Sequence, residues 1–339
     1  MLPKLPRETL LDFCRRMLLI RRFEEALVGL HDAGHFSGHY HVYIGQEATG
    51  VAGLSCLESG DYLFTTHRNH GHLLARGADP RRLLAEILGR RDGYNKGKGG
   101  TFHVAAPELG FVHTSGIVGG IIPLAAGAAY AAKAQDSRRI AVCLFGDGAL
   151  EEGAAAEAFN IASLWKLPVL FLCENNGKYG AGRSVGAAPS LTMAVHPLID
   201  LPRAYKISAQ QIDGIDSGAV HQAIFDAVAT IRQGDGPRFI EAQTVRWPGS
   251  ETNWPVVPAP TEVAMAWEVG SVPTAARDWY RISDPLLLFI RDLVEARQTT
   301  REEISELDRN VRGIIDDAAR FALSSPFPEP ETALEDIFA

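Results

Sequence analysis

The stretch CLFGDGALEEGAAAEAFNIASLWKLPVLFLCENN, from Cys143 to Asn176, decides the predicted fold. It contains two apolar segments of strand type with a helical pattern between them. The first segment ends in Gly146-Asp147-Gly148 and the second in Asn175-Asn176. Because a crossover helix between parallel strands brings both carboxyl ends to one edge of a sheet, we expect these polar residues to be neighbours in space.

The polar residues at the two strand ends are typical ligands of a hard cation. Asp147 offers a carboxylate and Asn176 an amide oxygen, a pair that suits Mg²⁺ or Ca²⁺ better than zinc. Gly148 and Ala149 are expected to open a helix, so their N–H groups would point at an anion. A lone Gly-Asp-Gly is most often only a turn, but the order strand, Gly-Asp-Gly, helix, strand, Asn-Asn predicts a metal-bound diphosphate.

Apolar strands and helices alternate on both sides of this stretch, as is typical of a parallel sheet covered on both faces. The fold class is therefore α/β: a doubly wound, mainly parallel sheet with helices on both faces and with N- and C-terminal helical extensions. The glycine-rich passage from Gly89 to Pro123 is expected to be a functional loop. Strands are predicted at 138–146, 167–174 and 238–245, and helices at 7–31, 48–57, 80–90, 121–134 and 149–165, with two more after residue 284.

Composition and charge restrict the classes of function. The formal net charge is -8 with no basic block to offset it, which argues against nucleic acid as a partner. The four cysteines lack CxxC or framework spacing, which favours a reducing compartment. The N-terminus does not read as a signal peptide, and no apolar run is long enough to span a membrane. We therefore expect a cytoplasmic protein, or a matrix protein in a eukaryote.

Further motifs occur in the order of a known family. They are GQEA (45–48), THRNHGHLLARG (66–77), GKGGTFH (97–103), GIVGG (116–120), GDGALEEG (146–153) and NIASLWKLP (160–168). The 26 residues between Gly-Asp-Gly and Asn-Asn match the spacing of the thiamine diphosphate-binding motif. The chain resembles the alpha subunit of the first component of 2-oxo acid dehydrogenase complexes, the group with the pyruvate, acetoin and branched-chain enzymes. The resemblance is strong over residues 35–245.

This resemblance implies thiamine diphosphate and Mg²⁺ as cofactors. Asp147 and Asn176 match the side-chain metal ligands of the family. A backbone carbonyl is the third protein ligand, which assigns that role to Lys178. The segment NNGKYGAG is one residue longer than the family pattern, so Tyr179 is the alternative.

The same resemblance assigns contacts to the organic cofactor. Arg68 is expected to pair with the diphosphate, and His67 stands where the family often has tyrosine. Asn176 belongs to this set as well as to the metal set. The remaining assigned contacts are Gly148 and Ala149 at the diphosphate, and the backbone of Gly116 and Val118 at the aminopyrimidine ring.

Three histidines are candidate catalytic residues by the same resemblance. His41 matches a family histidine near the reacting carbon and ranks first. His70 and His103 belong to the phosphate side of the site. For each of them, a hydrogen-bonded structural role is the alternative.

The resemblance also implies a reaction and partners. The enzyme would form a cofactor-bound carbanion by decarboxylating a 2-oxo acid and would transfer the acyl unit to a lipoyl group. Only one sheet domain is found in the sequence, so a beta subunit would supply the activating glutamate, in an assembly of two alpha and two beta chains. A lipoyl-bearing acyltransferase or carrier protein would be the acceptor. The domains would be an N-terminal helical segment (1–60), a thiamine diphosphate- and Mg²⁺-binding domain (61–250), and a loop with a C-terminal helical extension (251–339).

One loop departs from the family pattern. After the strand at 238–245 the family has a histidine-rich loop, but this chain keeps Arg246 and has Pro248 and Ser250 at the two histidine positions. One interpretation is that another residue of this chain, or the beta chain, has taken over the role of the two missing histidines. The alternative is transketolase-like cleavage of a ketose phosphate, in which Trp247, Trp254 and Ser250 reshape the donor end of the pocket and a two-carbon unit passes to a lipoyl or carrier protein. A non-catalytic cofactor-binding scaffold is a third hypothesis.

Overall fold

The structure is a computed structural model, and it describes residues 2–179, 193–245, 250–251, 254–255, 261–270, 272 and 274–335. Within these residues, six parallel strands form one sheet in the order β2-β1-β3-β4-β6-β5. A separate antiparallel pair joins β7 (Ser250–Glu251) to β8 (Trp254–Pro255). The strands of the main sheet are β1 (Tyr62–Thr66), β2 (Phe111–Ser115), β3 (Ala141–Gly146), β4 (Val169–Tyr179), β5 (Ser208–Asp213) and β6 (Arg238–Val245).

Helices cover both faces of the sheet. Leu170 and Leu172 of β4 belong to a core on one face, together with side chains of α1 and α7. Phe171 and Cys173 of β4 belong to a second core on the other face, with α4 and α5. The predicted α/β fold with a parallel sheet is therefore confirmed. The helices are α1 (Arg7–Asp32), α2 (His70–Ala75), α3 (Pro80–Ile87), α4 (Ile121–Ala134), α5 (Gly153–Leu164), α6 (Asp200–Ala204), α7 (Ser217–Arg232), α8 (Thr274–Asp278), α9 (Pro285–Glu295) and α10 (Arg301–Ser324).

A buried ionic cluster joins the first helix to the C-terminal helices. Arg21 of α1 is fully buried, and its guanidinium lies 2.8 Å from Glu47 and 2.8 Å from Asp284, which precedes α9. The neighbouring Arg22 lies 2.7 Å from Asp308 of α10. The division of the chain at residues 60 and 250 stays a prediction, and the N- and C-terminal helices share one core with the sheet.

Three details of the predicted secondary structure are wrong. The glycine-rich passage contains β2, an edge strand with two exposed positions, because an edge strand needs no continuous apolar run. The helix predicted from Ala149 to Trp165 is a 3₁₀ turn, Asp147–Glu151, followed by α5 from Gly153. In addition, β4 continues past Glu174 to Tyr179, because β6 extends beside it as a pairing partner.

Among the described residues, no helix combines the length and apolarity needed to cross a membrane.

Candidate functional site

A cavity of about 300 Å³ lies at the carboxyl ends of the central strands. Parallel sheets bind ligands at this edge because loops after neighbouring strands converge there. The first four strands in chain order, or the residues just after them, all contribute to its wall. The cavity is lined by Gln46, Thr66, His67, Arg68, Ser115, Ile117, Val118, Gly119, Gly146, Asp147, Gly148, Ala149, Glu151, Glu174 and Asn176.

The predicted metal ligands come together in this cavity. Gly146 of β3 pairs with Glu174 of β4 in parallel register, so Asp147 and Asn176 follow adjacent strand ends. Both residues line the cavity. The side chains of Lys178 and Tyr179 are not described, and the choice between their carbonyl groups stays a prediction.

The backbone after Asp147 differs from the expected helix N-terminus. Gly148 and Ala149 line the cavity, but they belong to a single 3₁₀ turn, and the following α-helix begins only at Gly153. The long helix dipole expected directly behind these two residues is therefore replaced by the N–H groups of one tight turn. A Cβ atom added to Gly148 would meet nothing within 4 Å, so the approach to this backbone is open.

Arg68 and His67 line the cavity directly after the end of β1. Arg68 is anchored by a hydrogen bond from its Nη1 to the carbonyl oxygen of Val42. The ring of His67 lies 4.5 Å from the ring of His41, measured between centroids. His41 stacks at 5.9 Å on Phe102 but does not itself line the cavity. His41 thus lies next to the lining residue His67, and its catalytic role stays a prediction.

The other two candidate histidines lie away from the cavity lining. His70 is fully buried, with Nδ1 3.2 Å from Glu24 and Nε2 2.7 Å from the hydroxyl of Thr101. His103 is exposed, and its Nδ1 lies 3.4 Å from the carbonyl oxygen of Thr114. Their catalytic roles stay predictions, and the contacts of His70 are those of a residue that joins elements of the fold.

The two residues assigned to the aminopyrimidine ring differ in position. Val118 lines the cavity and is 48% exposed. Gly116 is not a lining residue, although Ser115 and Ile117 on either side of it are. Ile117 is 70% exposed, so the rim of the cavity is apolar and open in the chain alone.

Sequence reasoning missed Glu174 as a site residue. It lines the cavity yet is only 5% exposed. One of its carboxylate oxygens accepts a hydrogen bond from Tyr43 Oη, and the other lies 3.1 Å from His72 Nε2. Burial first, and then the nearby charge of Glu174, raises the pKa of Tyr43 well above its usual value. The position of Glu174 directly before Asn175-Asn176 is the signal that the sequence offers for it.

Some residues singled out in the sequence lie outside the described part of the structure. Arg246, Trp247 and Pro248 belong to this group. For Ser250, Trp254 and Lys178 the backbone is described and the side chains are not.

The donor set of the cavity fits a magnesium-bridged diphosphate. The carboxylate of Asp147 and the amide oxygen of Asn176 leave the remaining positions of Mg²⁺ to other oxygen ligands, phosphate and water among them, which is its usual coordination in proteins. Within the described residues, no group of three or more His, Cys, Asp or Glu side chains is placed to hold a metal. A site built by protein ligands alone, as for structural zinc, is thus not found in that part of the chain.

The chain is similar to alpha subunits of several known enzymes. The alpha subunit of the acetoin:2,6-dichlorophenolindophenol oxidoreductase of Cupriavidus necator is 36% identical, over 98% of this chain and 95% of that protein. The pyruvate dehydrogenase E1 component subunit alpha of Rhizobium meliloti is 37% identical, over 95% of this chain and 88% of that protein. The mitochondrial somatic form of the same subunit from Sus scrofa is also 37% identical, over 96% of this chain and 79% of its own length.

These matches extend well beyond the motifs around the cavity. They give no support to the ketose-phosphate alternative. Members of this family use thiamine diphosphate with a divalent metal ion, typically Mg²⁺, and their alpha subunits pair with a beta subunit. The family model described as Dehydrogenase E1 component matches residues 15–331. The chain therefore belongs to the dehydrogenase E1 component family, as an alpha subunit.

Proposed function

We propose that this chain is the alpha subunit of a two-chain enzyme that decarboxylates a 2-oxo acid and transfers the acyl unit to a lipoyl group. The observation that carries the proposal is the cavity in which Asp147, Asn176 and Arg68 meet at adjacent strand ends. Thiamine diphosphate, when bound, supplies the electron sink that such a reaction requires. The residues of this chain bind and orient that cofactor.

Each residue predicted to bind the metal or the cofactor has a proposed task. Asp147 and Asn176, with the carbonyl of Lys178, hold the metal ion. Arg68 and His67 bind the diphosphate from one side of the cavity, and the N–H groups of Gly148 and Ala149 bind it from the other. The backbone of Gly116 and Val118 faces the aminopyrimidine ring.

His41 is the proposed acid–base group nearest the donor end. The ring of His41 lies next to that of His67, which lines the cavity and is the proposed diphosphate contact. His67 therefore stands between His41 and the proposed diphosphate site. His70 and His103 are proposed to support the site on its phosphate side. To act in catalysis, the His70 ring would have to give up its contacts with Glu24 and Thr101.

The beta subunit completes the site in this proposal. The described sheet supplies the metal and diphosphate end, and the glutamate that activates the cofactor comes from the beta chain. The assembly is proposed to hold two alpha and two beta chains, to act on a lipoyl-bearing acyltransferase or carrier protein, and to work in the cytoplasm.

A donor series tests this function. The alpha and beta chains are combined with thiamine diphosphate, Mg²⁺ and a lipoylated acceptor, and then offered pyruvate, branched 2-oxo acids, acetoin or a ketose phosphate. We expect acyl transfer with release of CO₂ from a 2-oxo acid, and no turnover by the alpha chain alone. Transfer from acetoin or the ketose phosphate only, or turnover by the isolated alpha chain, would contradict the proposal. A complex that carries Asp147→Ala is the control for cofactor dependence.

A further inference from the structure

Glu174 is a buried carboxylate in the cavity wall to which the function proposed above assigns no task. Both of its oxygens are engaged, one by Tyr43 Oη and the other by His72 Nε2 at 3.1 Å. A carboxylate removed from water is costly unless donors of this kind compensate its charge. Tyr43 and His72 must therefore be held in position by the rest of the fold.

The two donors are themselves fixed in place. The hydroxyl of Thr65 lies 2.7 Å from His72 Nδ1, so both ring nitrogens of His72 are engaged. The backbone N–H of Tyr43 donates to Glu24 at 3.0 Å. The ring of Tyr43 packs where a side chain at Gly71 would be, since a Cβ atom there would lie 1.9 Å from Tyr43 Cδ1. The contacts leave Tyr43 and His72 little freedom to follow a moving carboxylate.

Glu174 is connected to both predicted metal ligands through the sheet. It lies two residues before Asn176 on β4, just ahead of the irregular pairing between Asn175 and Tyr179, and both Glu174 and Asn176 line the cavity. It also pairs in register with Gly146, the residue directly before Asp147. A displacement of Glu174 therefore displaces the two strand ends that carry the carboxylate and the amide.

We propose that Tyr43, Glu174 and His72 form a clamp that positions Asp147 and Asn176 for the divalent metal ion. Glu174 is a positioning residue in this proposal, because it holds the strand ends and does not contact the cofactor. The inference rests on the proposed function, since it requires the metal to bind between those two residues. Partners that hydrogen-bond directly to metal ligands commonly change metal affinity by about 10–100-fold when they are removed, and Glu174 acts one step further away, through the strand ends.

The test measures the affinity of the reconstituted alpha–beta complex for Mg²⁺. Calorimetric titrations at saturating thiamine diphosphate are compared for the wild type, Glu174→Gln and Tyr43→Phe. We expect Glu174→Gln to weaken Mg²⁺ binding by about tenfold, the lower end of the range for direct partners of metal ligands, because a Gln amide accepts from one of the two donors and opposes the other. Tyr43→Phe keeps the ring and removes one donor, so we expect a smaller loss in the same direction.

Glu241 provides a matched control. It is 1% exposed, lies on β6, and its carboxylate accepts from Asn175 Nδ2 at 2.8 Å and from Gln211 Nε2 at 2.9 Å. It therefore holds the same strand end, but through the residue that points to the opposite face, and it does not line the cavity. We expect Glu241→Gln to lower the melting temperature and to leave the Mg²⁺ dissociation constant within about twofold of the wild type.

The outcomes separate positioning from a purely structural role. If Glu174→Gln lowers the melting temperature and leaves Mg²⁺ affinity unchanged, the clamp does not position the metal site. An equal loss of affinity in Glu241→Gln would also overturn the proposal, because any damage to the sheet would then have the same effect. Failure of the proposed function gives a different result, in which Asp147→Ala itself retains Mg²⁺ affinity.

Discussion

Arg68 supplies the fixed positive charge among the described residues that line the cavity. A charge-assisted hydrogen bond from a guanidinium to a phosphate oxygen is worth about 2–3 kcal/mol. We therefore expect Arg68→Ala to weaken binding of thiamine diphosphate to the alpha–beta complex by that amount, measured by calorimetry. Arg15→Ala serves as the control, because Arg15 is a half-exposed side chain of α1 that pairs with Asp12 away from the cavity lining. Equal affinities of the Arg68→Ala and wild-type complexes would remove Arg68 from the diphosphate site.

Asp147 is the carboxylate of the proposed metal site. Replacement by alanine removes both the charge and the oxygen ligand, so we expect Asp147→Ala to abolish Mg²⁺-dependent binding of thiamine diphosphate. Titrations with and without Mg²⁺ give the measurement. The surface variant Asp200→Ala is the control, since Asp200 is a half-exposed residue of α6 that pairs with Arg203. Retention of metal-dependent binding by Asp147→Ala would reject the site.

At the residue scale, the sequence predicts which side chains lie at the strand ends better than it predicts which residues those side chains contact. Asp147 and Asn176 were predicted to meet because the carboxyl ends of adjacent parallel strands share one edge. Glu174 and Tyr43 were missed as a pair because they lie 131 residues apart in sequence, and no local pattern joins them. Only the packed fold brings that hydroxyl to that carboxylate.

The first helix is held to the rest of the molecule by buried charges. Arg21 of α1 contacts Glu47 and Asp284, and all three side chains are fully buried. Removal of one partner from a buried ionic group leaves the others uncompensated, at a cost of about 3–5 kcal/mol. We expect Arg21→Met to lower the apparent free energy of unfolding in urea by that amount.

A half-exposed pair on the same helix gives the comparison for this prediction. Arg15 lies 2.8 Å from Asp12, with 41% of the Arg15 side chain exposed. Surface pairs of this kind contribute about 0–1 kcal/mol, so Arg15→Met is expected to change stability little. Similar losses from the two variants would mean that burial of the Arg21 cluster does not govern the attachment of α1.

At the element scale, the longest continuous apolar runs are the best guide to the strands and helices. The helix Ile121–Ala134 and the strand Arg238–Val245 have the bounds predicted from the sequence. The edge strands β2 and β5 were missed for a physical reason. Neither is covered on both faces, and β5 has the polar sequence SAQQID, so neither shows an apolar run. The internal strand β1 was missed because it is only five residues long.

At the scale of the whole molecule, the charges of the cavity predict how cofactor and metal binding are coupled. Three carboxylates, those of Asp147, Glu151 and Glu174, line the cavity with Arg68. A diphosphate brought into this acidic surrounding is repelled unless a divalent cation accompanies it. Metal and cofactor are therefore expected to bind together and to stabilise the complex together.

Removal of the metal tests this coupling. A ligand present at about 100 times its dissociation constant stabilises the folded state by about 2.7 kcal/mol. We expect the alpha–beta complex to gain stabilisation of this order from thiamine diphosphate with Mg²⁺, and to lose it when a chelator is added, as followed by thermal unfolding. The Asp147→Ala complex should not respond to the chelator, because its ligand set is already broken. Stabilisation by the cofactor that persists in chelator would show that the carboxylates do not require the metal, and the acidic lining would then need another counter-charge, which the beta chain would have to provide.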